Sequence, residues 1–342
     1  MATLSHRVEA HPSVEHIFRT ANAFTQSAAL KSAIELGLFT AIAEGNTGVN
    51  AIARRCDASE RGIRILCDFL TIIGLLTKNG RDYGLTPESA AYLDRNSPTY
   101  LGSAVDFLNS EYVFQHFGAL TEAVRRGGTA INHEGAMAAN HPMWQIFARA
   151  MGPMMKLPAL SIVQLLDSGS GKIGKVLDIA AGHGVFGITL AARRPEAEIF
   201  AVDWDNVLKV ARENAASAGV QGRYHTIEGS AFDVEFGTGY DVVLLTNFLH
   251  HLDPPAIDGL LRKVHAALKP GGRVVTLEFV PNEDRVSPPA AAAFSLTMLA
   301  STERGDAYTA REYESMFRKA GFSRPEFHLL TPSPEQAIIC RR

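Results

Sequence analysis

A glycine-rich turn followed by a strand-end carboxylate is the first pattern in this sequence that could carry chemistry. The run VLDIAAGHGVFG passes from an apolar, strand-like segment through Gly182 and Gly184 into a helical pattern. Glycines at such a turn let the backbone approach a ligand closely, and the helix start behind them presents free N–H groups. Asp203 ends the next strand-like run, FAVDW, where a carboxylate can accept hydrogen bonds from ribose hydroxyls. Together these residues predict a site for an adenosine-containing ligand.

The glycine turn alone does not decide which adenosine-containing ligand is bound. GHGVFG, from Gly182 to Gly187, is a literal G-x-G-x-x-G and would suit a nicotinamide dinucleotide. Asp178, inside the preceding strand, suits a cofactor with an ammonium group better than one with a pyrophosphate. The bland alternatives are that Asp178 only pairs locally and that the glycines only form a tight turn. The carboxylate inside the strand favours the ammonium-bearing cofactor.

Two adjacent histidines, His250 and His251, follow the fourth strand-like run of the C-terminal half. Open α/β sheets bind ligands at the carboxyl ends of their strands, and an imidazole with a pKa near ~6.5 can take a proton at neutral pH. Neighbouring residues at a strand end point in different directions, so we expect only one of the two to face a substrate. The alternative is that LHHL packs below the cofactor and has no chemical role.

Strand-like and helical runs alternate through the C-terminal half. The strand-like runs are Val176–Ile179, Ile199–Val202, Arg223–Ile227, Val242–Leu245 and Val274–Phe279, and the helical ones are Phe186–Arg193, Val207–Ala218 and Pro255–Leu268. This alternation predicts a parallel sheet covered by helices on both faces. After a helix over Tyr308–Ala320, the tail predicts two strands, Glu326–Leu330 and Gln336–Arg341, whose short Pro-Ser-Pro loop requires antiparallel pairing. Plain dinucleotide-binding domains lack such a pair.

The N-terminal third has the element order of a winged helix. Helical patterns cover Val14–Leu38, Val49–Cys56 and a segment starting at Ser59, and Asn79-Gly80 then predicts a two-residue hairpin. The second helix offers only Arg61, Arg64 and nearby Lys78 as basic residues, whereas DNA binding needs a basic stripe. We therefore predict a dimerisation role for this region. The domain prediction is 1–100 for the winged helix, 101–168 for a helical linker and 169–342 for the catalytic domain, with a Gly/Ser-rich joint at Asp167–Lys172.

The overall composition excludes several classes of protein. The 342 residues are 46% hydrophobic and 20% charged, with a net charge of −3, so no electrostatic footprint for nucleic acid or an anionic membrane is present. The N-terminus has no apolar signal-peptide core, and no apolar run approaches the roughly 20 residues of a membrane span. The three cysteines lack metal-ligand spacing. We predict a cytoplasmic protein with no nucleic-acid, membrane or metal partner.

The sequence resembles the plant caffeic acid and acetylserotonin type O-methyltransferases and their bacterial relatives. The resemblance covers nearly the whole chain, through HPMWQIFARAM, VLDIAAGHG, FAVDW, EGSAF, LLTNFLHHLDP, LKPGGRVVTLEF and YTAREYESMFRKAGF. It implies an α/β fold with a Rossmann-like class I methyltransferase sheet, parallel with an antiparallel C-terminal strand, behind an N-terminal, mainly helical winged-helix dimerisation domain. It also implies a homodimer that uses S-adenosyl-L-methionine (SAM) and a small-molecule acceptor.

The resemblance also implies roles for individual residues. Asp178, Gly182 and Gly184 would surround the methionine part of the cofactor, and Asp203 would hold the ribose. The residues around the adenine would be Trp204, Ser230, Ala231 and Phe232. His250 would be the general base, oriented by Glu278, and the acceptor pocket would include Phe147 and Met151.

This sequence departs from the family pattern at four positions. The first family glycines are Ala180 and Ala181 here, the acidic residue beside the adenine is Ser230, and a second carboxylate near the base is Ala307, with Asp306 next to it. These departures predict a narrower glycine turn, a weaker partner for the adenine amine and a base supported from one side only.

The sequence leaves three possible functions open. The leading prediction is O-methylation of a small aromatic or polyketide-like metabolite, in which a base removes the hydroxyl proton and adds typically ~10²–10⁴-fold to the rate. The second is transfer to carbon or nitrogen with the same cofactor, for which the histidine could be dispensable. The third is a regulator that binds a ligand in one domain and DNA with the winged helix.

Overall fold

The chain folds into two compact units, Met1–Val105 and Asp106–Arg342. The computed structural model describes residues 13–131, 140–168 and 171–342. Residues 169 and 170 of the predicted Gly/Ser-rich joint lie outside this part of the chain. Each unit has its own hydrophobic core.

The first unit has the predicted winged-helix order of elements. Its elements are α1 (Glu15–Ala21), α2 (Phe24–Glu35), α3 (Leu38–Ala43), α4 (Val49–Arg55), α5 (Glu60–Ile72), β1 (Leu76–Asn79), β2 (Asp82–Leu85) and α6 (Pro87–Tyr92). Helix α5 begins where the hydroxyl of Ser59 accepts a hydrogen bond from the backbone N–H of Gly62, at 3.1 Å. The hairpin is confirmed, but Asn79 pairs with Asp82, so its two turn residues are Gly80 and Arg81, one position later than predicted. Gly80 takes the positive φ that the turn needs, at 61°.

The second unit starts with helices and continues as an α/β domain. The helices are α7 (Ser103–Leu108, which begins before the unit boundary), α8 (Glu111–Gly118), α9 (Leu120–Arg126) and α10 (Pro142–Asp167). The α/β part contains β3 (Lys175–Ile179), α11 (Val185–Arg193), β4 (Glu198–Asp203), α12 (Asp205–Ser217), β5 (Tyr224–Glu228), β6 (Tyr240–Thr246), α13 (Pro254–Ala267), β7 (Leu268–Glu278), α14 (Pro289–Ser301), α15 (Ala310–Lys319), β8 (Glu326–Leu329) and β9 (Gln336–Arg341).

The seven strands form one sheet in the order β5-β4-β3-β6-β7-β9-β8. Strands β3 to β7 are parallel, and β9 runs antiparallel to both of its neighbours, as predicted. The strand order reverses between β3 and β6, and ligands bind in open α/β sheets at such a switch point, outside the carboxyl ends of the strands. Helices α10, α11 and α12 pack on one face of the sheet, and α13 and α15 pack on the other.

Helix α10 connects the helical segment to the sheet. Among the described residues it is the one helix whose length and apolar composition would let it cross a membrane. Its second half is buried in the core of the domain, through residues that include Ala159, Ile162 and Leu166. Pro153 and Pro158 lie inside the helix, where each removes a backbone donor from the hydrogen-bond ladder.

Helix α11 approaches the sheet closely at Gly187. A Cβ atom there would lie 2.7 Å from Ile199 Cγ2 and 2.8 Å from Asp178 Oδ2. We expect Gly187→Ala to lower the free energy of unfolding by about 1–2 kcal/mol, the overpacking cost reduced by the better helix propensity of alanine. Urea denaturation measures this. The matched control is Gly259→Ala in α13, where a Cβ meets nothing within 4 Å, so the same change should raise stability by up to about 1 kcal/mol. A stabilised Gly187→Ala protein would contradict the close contact.

Candidate active site

An open cleft enclosing about 830 Å³ lies at the carboxyl edge of the sheet. Its walls come from the glycine turn after β3, the end of β4, the loops after β5 and β6, and the first turns of α10. The lining residues are Trp144, Phe147, Ala180, Ala181, Gly182, His183, Phe186, Val202, Asp203, Trp204, Val207, Gly229, Ser230, Ala231, Phe232, Thr246, Asn247, Phe248 and His251. The cleft therefore brings together six of the eight predicted cofactor residues, all except Asp178 and Gly184.

The glycine turn borders the cleft in a left-handed conformation. Ala180, Gly182 and Gly184 have φ values of 53°, 57° and 72°. Glycine adopts such values without strain, whereas alanine does so at a steric cost. Ala180, which stands where the family has a glycine, thus adopts a conformation that favours glycine, and it lines the cleft.

Asp203, at the end of β4, holds the glycine turn in place. Its Oδ2 accepts a hydrogen bond from the backbone N–H of Gly182 at 2.8 Å, and its Oδ1 accepts one from Trp204 at 2.7 Å. Burial raises the pKa of the carboxyl group to about 6, and these two hydrogen bonds oppose the shift. Each carboxylate oxygen can accept a further hydrogen bond, so the group can also receive ribose hydroxyls from the cleft.

Asp178, in β3, and Gly184, in the turn itself, do not line the cleft. Asp178 Oδ2 accepts the N–H of Gly187 at 3.1 Å, and Oδ1 has no partner among the described residues. Burial raises the pKa of Asp178 to about 8. At Gly184, a Cβ atom would lie 2.6 Å from the hydroxyl of Tyr224. Both residues therefore influence the conformation of the turn. Their direct contact with a cofactor stays a prediction.

The loop after β5 forms the opposite wall with Trp204. Ser230, Ala231 and Phe232 all line the cleft. The hydroxyl of Ser230, which stands where the family has an acidic residue, accepts the backbone N–H of Phe232 at 3.1 Å. Its own hydrogen remains available to a ligand, so this serine can donate a hydrogen bond, which an ionised carboxylate cannot.

The cleft fits an adenosyl sulfonium better than a dinucleotide. None of its described lining residues is lysine or arginine, so no cationic side chain there would neutralise a pyrophosphate. Aromatic and aliphatic walls can hold a flat base, and the carboxylate of Asp203 can accept the ribose hydroxyls. A cationic cofactor also suits a cleft next to the carboxyl groups of Asp178 and Asp203, because a positive charge nearby would favour their ionised forms.

His250 and Glu278 form a buried pair at the ends of β6 and β7. The Nδ1 atom of His250 lies 2.5 Å from Glu278 Oε2, and the two residues are 3% and 0% exposed. Glu278 Oε1 accepts the backbone N–H groups of Phe248 and Leu249 at 3.3 and 2.9 Å. A carboxylate held in this way makes Nδ1 the proton donor, which leaves Nε2 as the basic nitrogen of the imidazole.

The two adjacent histidines have different surroundings. His250, the predicted base, is buried and does not line the cleft, and its ring contacts Phe294 of α14 edge to face, with ring centroids 4.9 Å apart. His251 lines the cleft and contacts Trp144 edge to face, at 5.4 Å. Burial, together with the neighbouring charge of His250, lowers the pKa of His251 well below its usual value. His251 is therefore neutral, and only His250 has a carboxylate partner that would stabilise a charged ring.

The second family carboxylate is missing at position 307. Ala307 is fully buried, and Asp306 is turned outward to Arg285, 3.3 Å away. A different buried carboxyl group, Glu335, precedes β9 and accepts the hydroxyl of Ser333 at 2.9 Å. Burial raises the pKa of Glu335 to about 7, and the charge of Glu278 adds to that shift. Nothing in the sequence pattern distinguishes this glutamate from an ordinary loop residue.

The predicted acceptor residues divide between the cleft and its surroundings. Phe147 lines the cleft and contacts Trp144 edge to face at 5.6 Å. Met151, one turn later in α10, is partly buried but does not line the cleft, so its role stays a prediction. Sequence reasoning missed the cleft-lining residues Trp144, Ala180, Ala181, His183, Phe186, Val202, Val207, Gly229, Thr246, Asn247 and Phe248 as contacts.

Among the missed residues, His183 and Asn247 have polar side chains whose hydrogen bonds the structure defines. His183 accepts the N–H of Val185 at its Nδ1, 3.1 Å away, and burial lowers its pKa to about 4, so its ring is neutral. Asn247 has a φ of 54° and directs its amide towards the sulfur of Met155, 3.5 Å away. Their positions directly inside the glycine turn and directly after β6 were the available signal. In the described parts of the chain, no cluster of histidine, cysteine and acidic residues could hold a metal ion.

Comparison with known proteins agrees with this geometry. Residues 106–323 match the O-methyltransferase domain, and residues 18–95 match the O-methyltransferase dimerisation domain. The 3-hydroxy-5-methyl-1-naphthoate 3-O-methyltransferase of Streptomyces sahachiroi is 31% identical over 303 residues, which cover 86% of this chain and 85% of the relative.

Two solved structures extend the likeness to the whole fold. A candidate O-methyltransferase from Nostoc punctiforme is 52% identical, with a TM-score of 0.94 over 97% of this chain and 100% of that one. Human N-acetylserotonin methyltransferase in complex with SAM is 25% identical, with a TM-score of 0.85 over 98% of this chain and 99% of that one. The chain therefore belongs to the O-methyltransferase family and is an enzyme that uses SAM as its methyl donor.

Proposed function

We propose that this enzyme methylates a hydroxyl group of a small aromatic or polyketide-like metabolite, with His250 as the general base. The observation that carries the proposal is the 2.5 Å contact between His250 Nδ1 and Glu278 Oε2. SAM supplies an electrophilic methyl group when it is bound. A neutral hydroxyl is a poor nucleophile, so a base that takes its proton as the new bond forms lowers the barrier.

The proposed proton transfer ends on Nε2 of His250. The hydroxyl proton of the acceptor moves to this nitrogen, and the ring becomes positively charged. Glu278 accepts from Nδ1 throughout, so its negative charge stabilises the imidazolium and holds the ring in one orientation. Positioning of the acceptor oxygen in line with the methyl group supplies the remaining part of the rate.

Aromatic side chains support an aromatic acceptor. Trp144 and Phe147 line the cleft, and Phe294 lies against the ring of His250. Flat apolar rings can pack between such side chains in offset or edge-to-face contact. The Streptomyces sahachiroi relative is named for a hydroxynaphthoate acceptor. We propose an acceptor of the same general class, a hydroxyl group on an aromatic ring.

Incubation with methyl-labelled SAM and a panel of phenols, amines and activated carbon acids tests this function. We expect label on the phenols, and we expect His250→Ala to lose about 10²–10⁴-fold in turnover with the labelled phenol. The control is His225→Ala, because His225 lies half exposed on β5, away from the cleft. Label only on amines or carbon acids, or near-normal turnover by His250→Ala, would reject the proposed reaction.

For the cofactor site, we propose that the residues at the carboxyl edge divide SAM among them. Asp203 accepts the ribose hydroxyls. The adenine lies against Trp204 and the loop residues Ser230, Ala231 and Phe232. The methionine part lies against the turn that contains Gly182 and Gly184. Asp178 accepts the N–H of Gly187 behind this turn. The observation that supports this assignment is that the residues proposed for the adenine and the ribose all line the cleft.

The raised pKa of Asp203 predicts a pH-dependent affinity for the product S-adenosylhomocysteine (SAH). Hydroxyl groups donate more strongly to an ionised carboxylate than to a neutral one, so the ligand prefers deprotonated Asp203. With a pKa of about 6, affinity should rise with pH through that value and level off above it, by about tenfold between pH 5 and 7. Calorimetric titration with SAH measures this.

Asp203→Asn is the control for the pH profile. It keeps the shape of the side chain and cannot ionise, so SAH should bind more weakly at pH 8 and without an inflection near 6. An inflection that persists in this variant would remove Asp203 from the proposed role. An inflection near 8 in the parent protein would instead assign the pH dependence to Asp178, whose pKa is raised to about 8.

We propose that the first unit forms a homodimer through its exposed apolar side chains. Val14, Ile17, Phe18 and Phe24 on α1 and the start of α2 are 62–68% exposed. Soluble monomers rarely expose such a cluster. The basic residues argue against DNA, because Arg64 and Lys78 both pair with Asp68, at 3.2 and 2.5 Å. The match of residues 18–95 to a dimerisation domain agrees with this proposal.

The double substitution Ile17→Glu with Phe18→Glu tests the dimer. Charge on the apolar face should convert the dimer to a monomer, because two carboxylates would be buried without partners at the interface. Light scattering at micromolar concentration gives the mass. The control is Leu329→Glu, since Leu329 is a solitary exposed leucine on strand β8. A parent protein that is already monomeric at this concentration would contradict the proposal.

The cysteines support an intracellular site of action. Cys56, Cys67 and Cys340 are all free and buried. Burial raises the pKa of the Cys67 thiol to about 12, so it carries little reactive thiolate. Reduced, unpaired thiols are typical of proteins kept in a reducing compartment, and we propose the cytoplasm.

A further inference from the structure

The loop after β5, residues 229–236, folds around a single serine. We refer to it as the adenine loop. The backbone carbonyl of Ser230 accepts the N–H groups of Asp233 and Val234, both at 3.0 Å, and the Ser230 hydroxyl accepts the N–H of Phe232 at 3.1 Å. The N–H groups of three consecutive residues are thereby turned inward onto Ser230. The carbonyl groups of the loop need partners from elsewhere in the protein.

Those partners come from one side chain on a distant helix. The ammonium group of Lys263, in α13, donates to the carbonyl oxygens of Ala231 at 3.1 Å, Phe232 at 3.0 Å and Val234 at 2.5 Å. An ammonium group has three N–H donors, so each is used on a different carbonyl of the loop. The same nitrogen lies 4.2 Å from the centre of the Phe236 ring, a cation–π contact.

Lys263 is bound to the loop and not to a counter-ion. No carboxylate forms an ion pair with it in the described residues, although Asp233 and Glu235 are close enough to influence its charge. Hydrogen bonds from a charged donor are stronger than those between neutral groups. Removing the ammonium would leave three carbonyl dipoles converging without a donor, and such an arrangement repels itself. The loop would then open at the two residues, Ala231 and Phe232, that line the cleft.

We propose that Lys263 is a positioning residue for the cofactor: it fixes the adenine loop and so sets the affinity for the adenosine half of SAM. The inference rests on the proposed contact of this loop with adenine. Lys263 itself does not line the cleft, so it acts only through the backbone of the loop. The acceptor side, with His250 and Glu278, lies on other elements and should not be affected.

Lys263→Met keeps a long side chain and removes the three donors. Calorimetry should show the dissociation constant for SAH rising about tenfold, or about 1.4 kcal/mol. Methylthioadenosine, which has the adenosine half without the amino acid, should show the same factor. With a phenol acceptor, kcat at saturating SAM and the acceptor KM should stay within about twofold. Lys263→Arg keeps the charge and two or more donors, and it should recover part of the lost affinity.

The matched control is Arg262→Met on the same helix. Arg262 is exposed and pairs only with Asp258, at 2.9 Å, so removal of its charge should leave SAH binding unchanged. Urea denaturation of all variants separates a general loss of stability from a change in the loop. A lysine with only a structural role would lower the unfolding midpoint without a specific rise in the KM for SAM. If Lys263→Met does not fold, the Lys263→Arg comparison is made alone.

Phe232→Ala separates the inference from the assignment beneath it. If Phe232→Ala weakens SAH binding and Lys263→Met does not, the role of Lys263 is rejected and the adenine site stands. If neither variant weakens it, the adenine assignment fails as well. Equal losses in SAH affinity and acceptor KM for Lys263→Met would also overturn the inference, since the effect would then not be confined to the adenosine half.

Discussion

The fully buried carboxylate of Glu278 is the group around which the end of the sheet is organised. An ionised group at this depth costs several kcal/mol unless donors surround it, and here the donors come from the residues directly after β6: the N–H groups of Phe248 and Leu249 and the ring of His250. The chain after β6 must therefore turn sharply across the end of β7. That turn fixes the histidine ring in one orientation before any substrate is present.

A second carboxylate, that of Asp203, fixes the glycine turn at the end of β3. Asp203 joins the end of β4 to the glycine turn after β3, through its contact with Gly182. The two carboxylates lie on either side of the point at which the strand order reverses. A parallel sheet places both at one edge, because the carboxyl ends of its strands coincide there. The positions of the two carboxylates are thus set by the sheet.

The parts of this arrangement that follow from local patterns could be predicted from the sequence. The strands, their order of appearance, the antiparallel C-terminal pair and the residues at strand ends all come from periodicity and turn residues. Contacts between distant segments could not. Lys263 bonds to carbonyl groups 29–32 positions away, and Glu335 is buried by the tertiary fold, yet neither belongs to a motif. The hairpin turn was displaced by one residue because Asn79 pairs within the strand. Asp178 was predicted correctly inside β3 and Gly184 in the turn, but neither residue lines the cleft.

Helix α10 contributes both to the cleft and to the hydrophobic core of the domain. Its first turns supply Trp144 and Phe147 to the cleft, and its last turns are sealed into the core of the domain. Pro153 and Pro158 lie between the two parts, where each removes a backbone donor from the ladder while the helix stays continuous. Substitutions in the first turns would therefore change the cleft wall and leave the core contacts of the last turns in place.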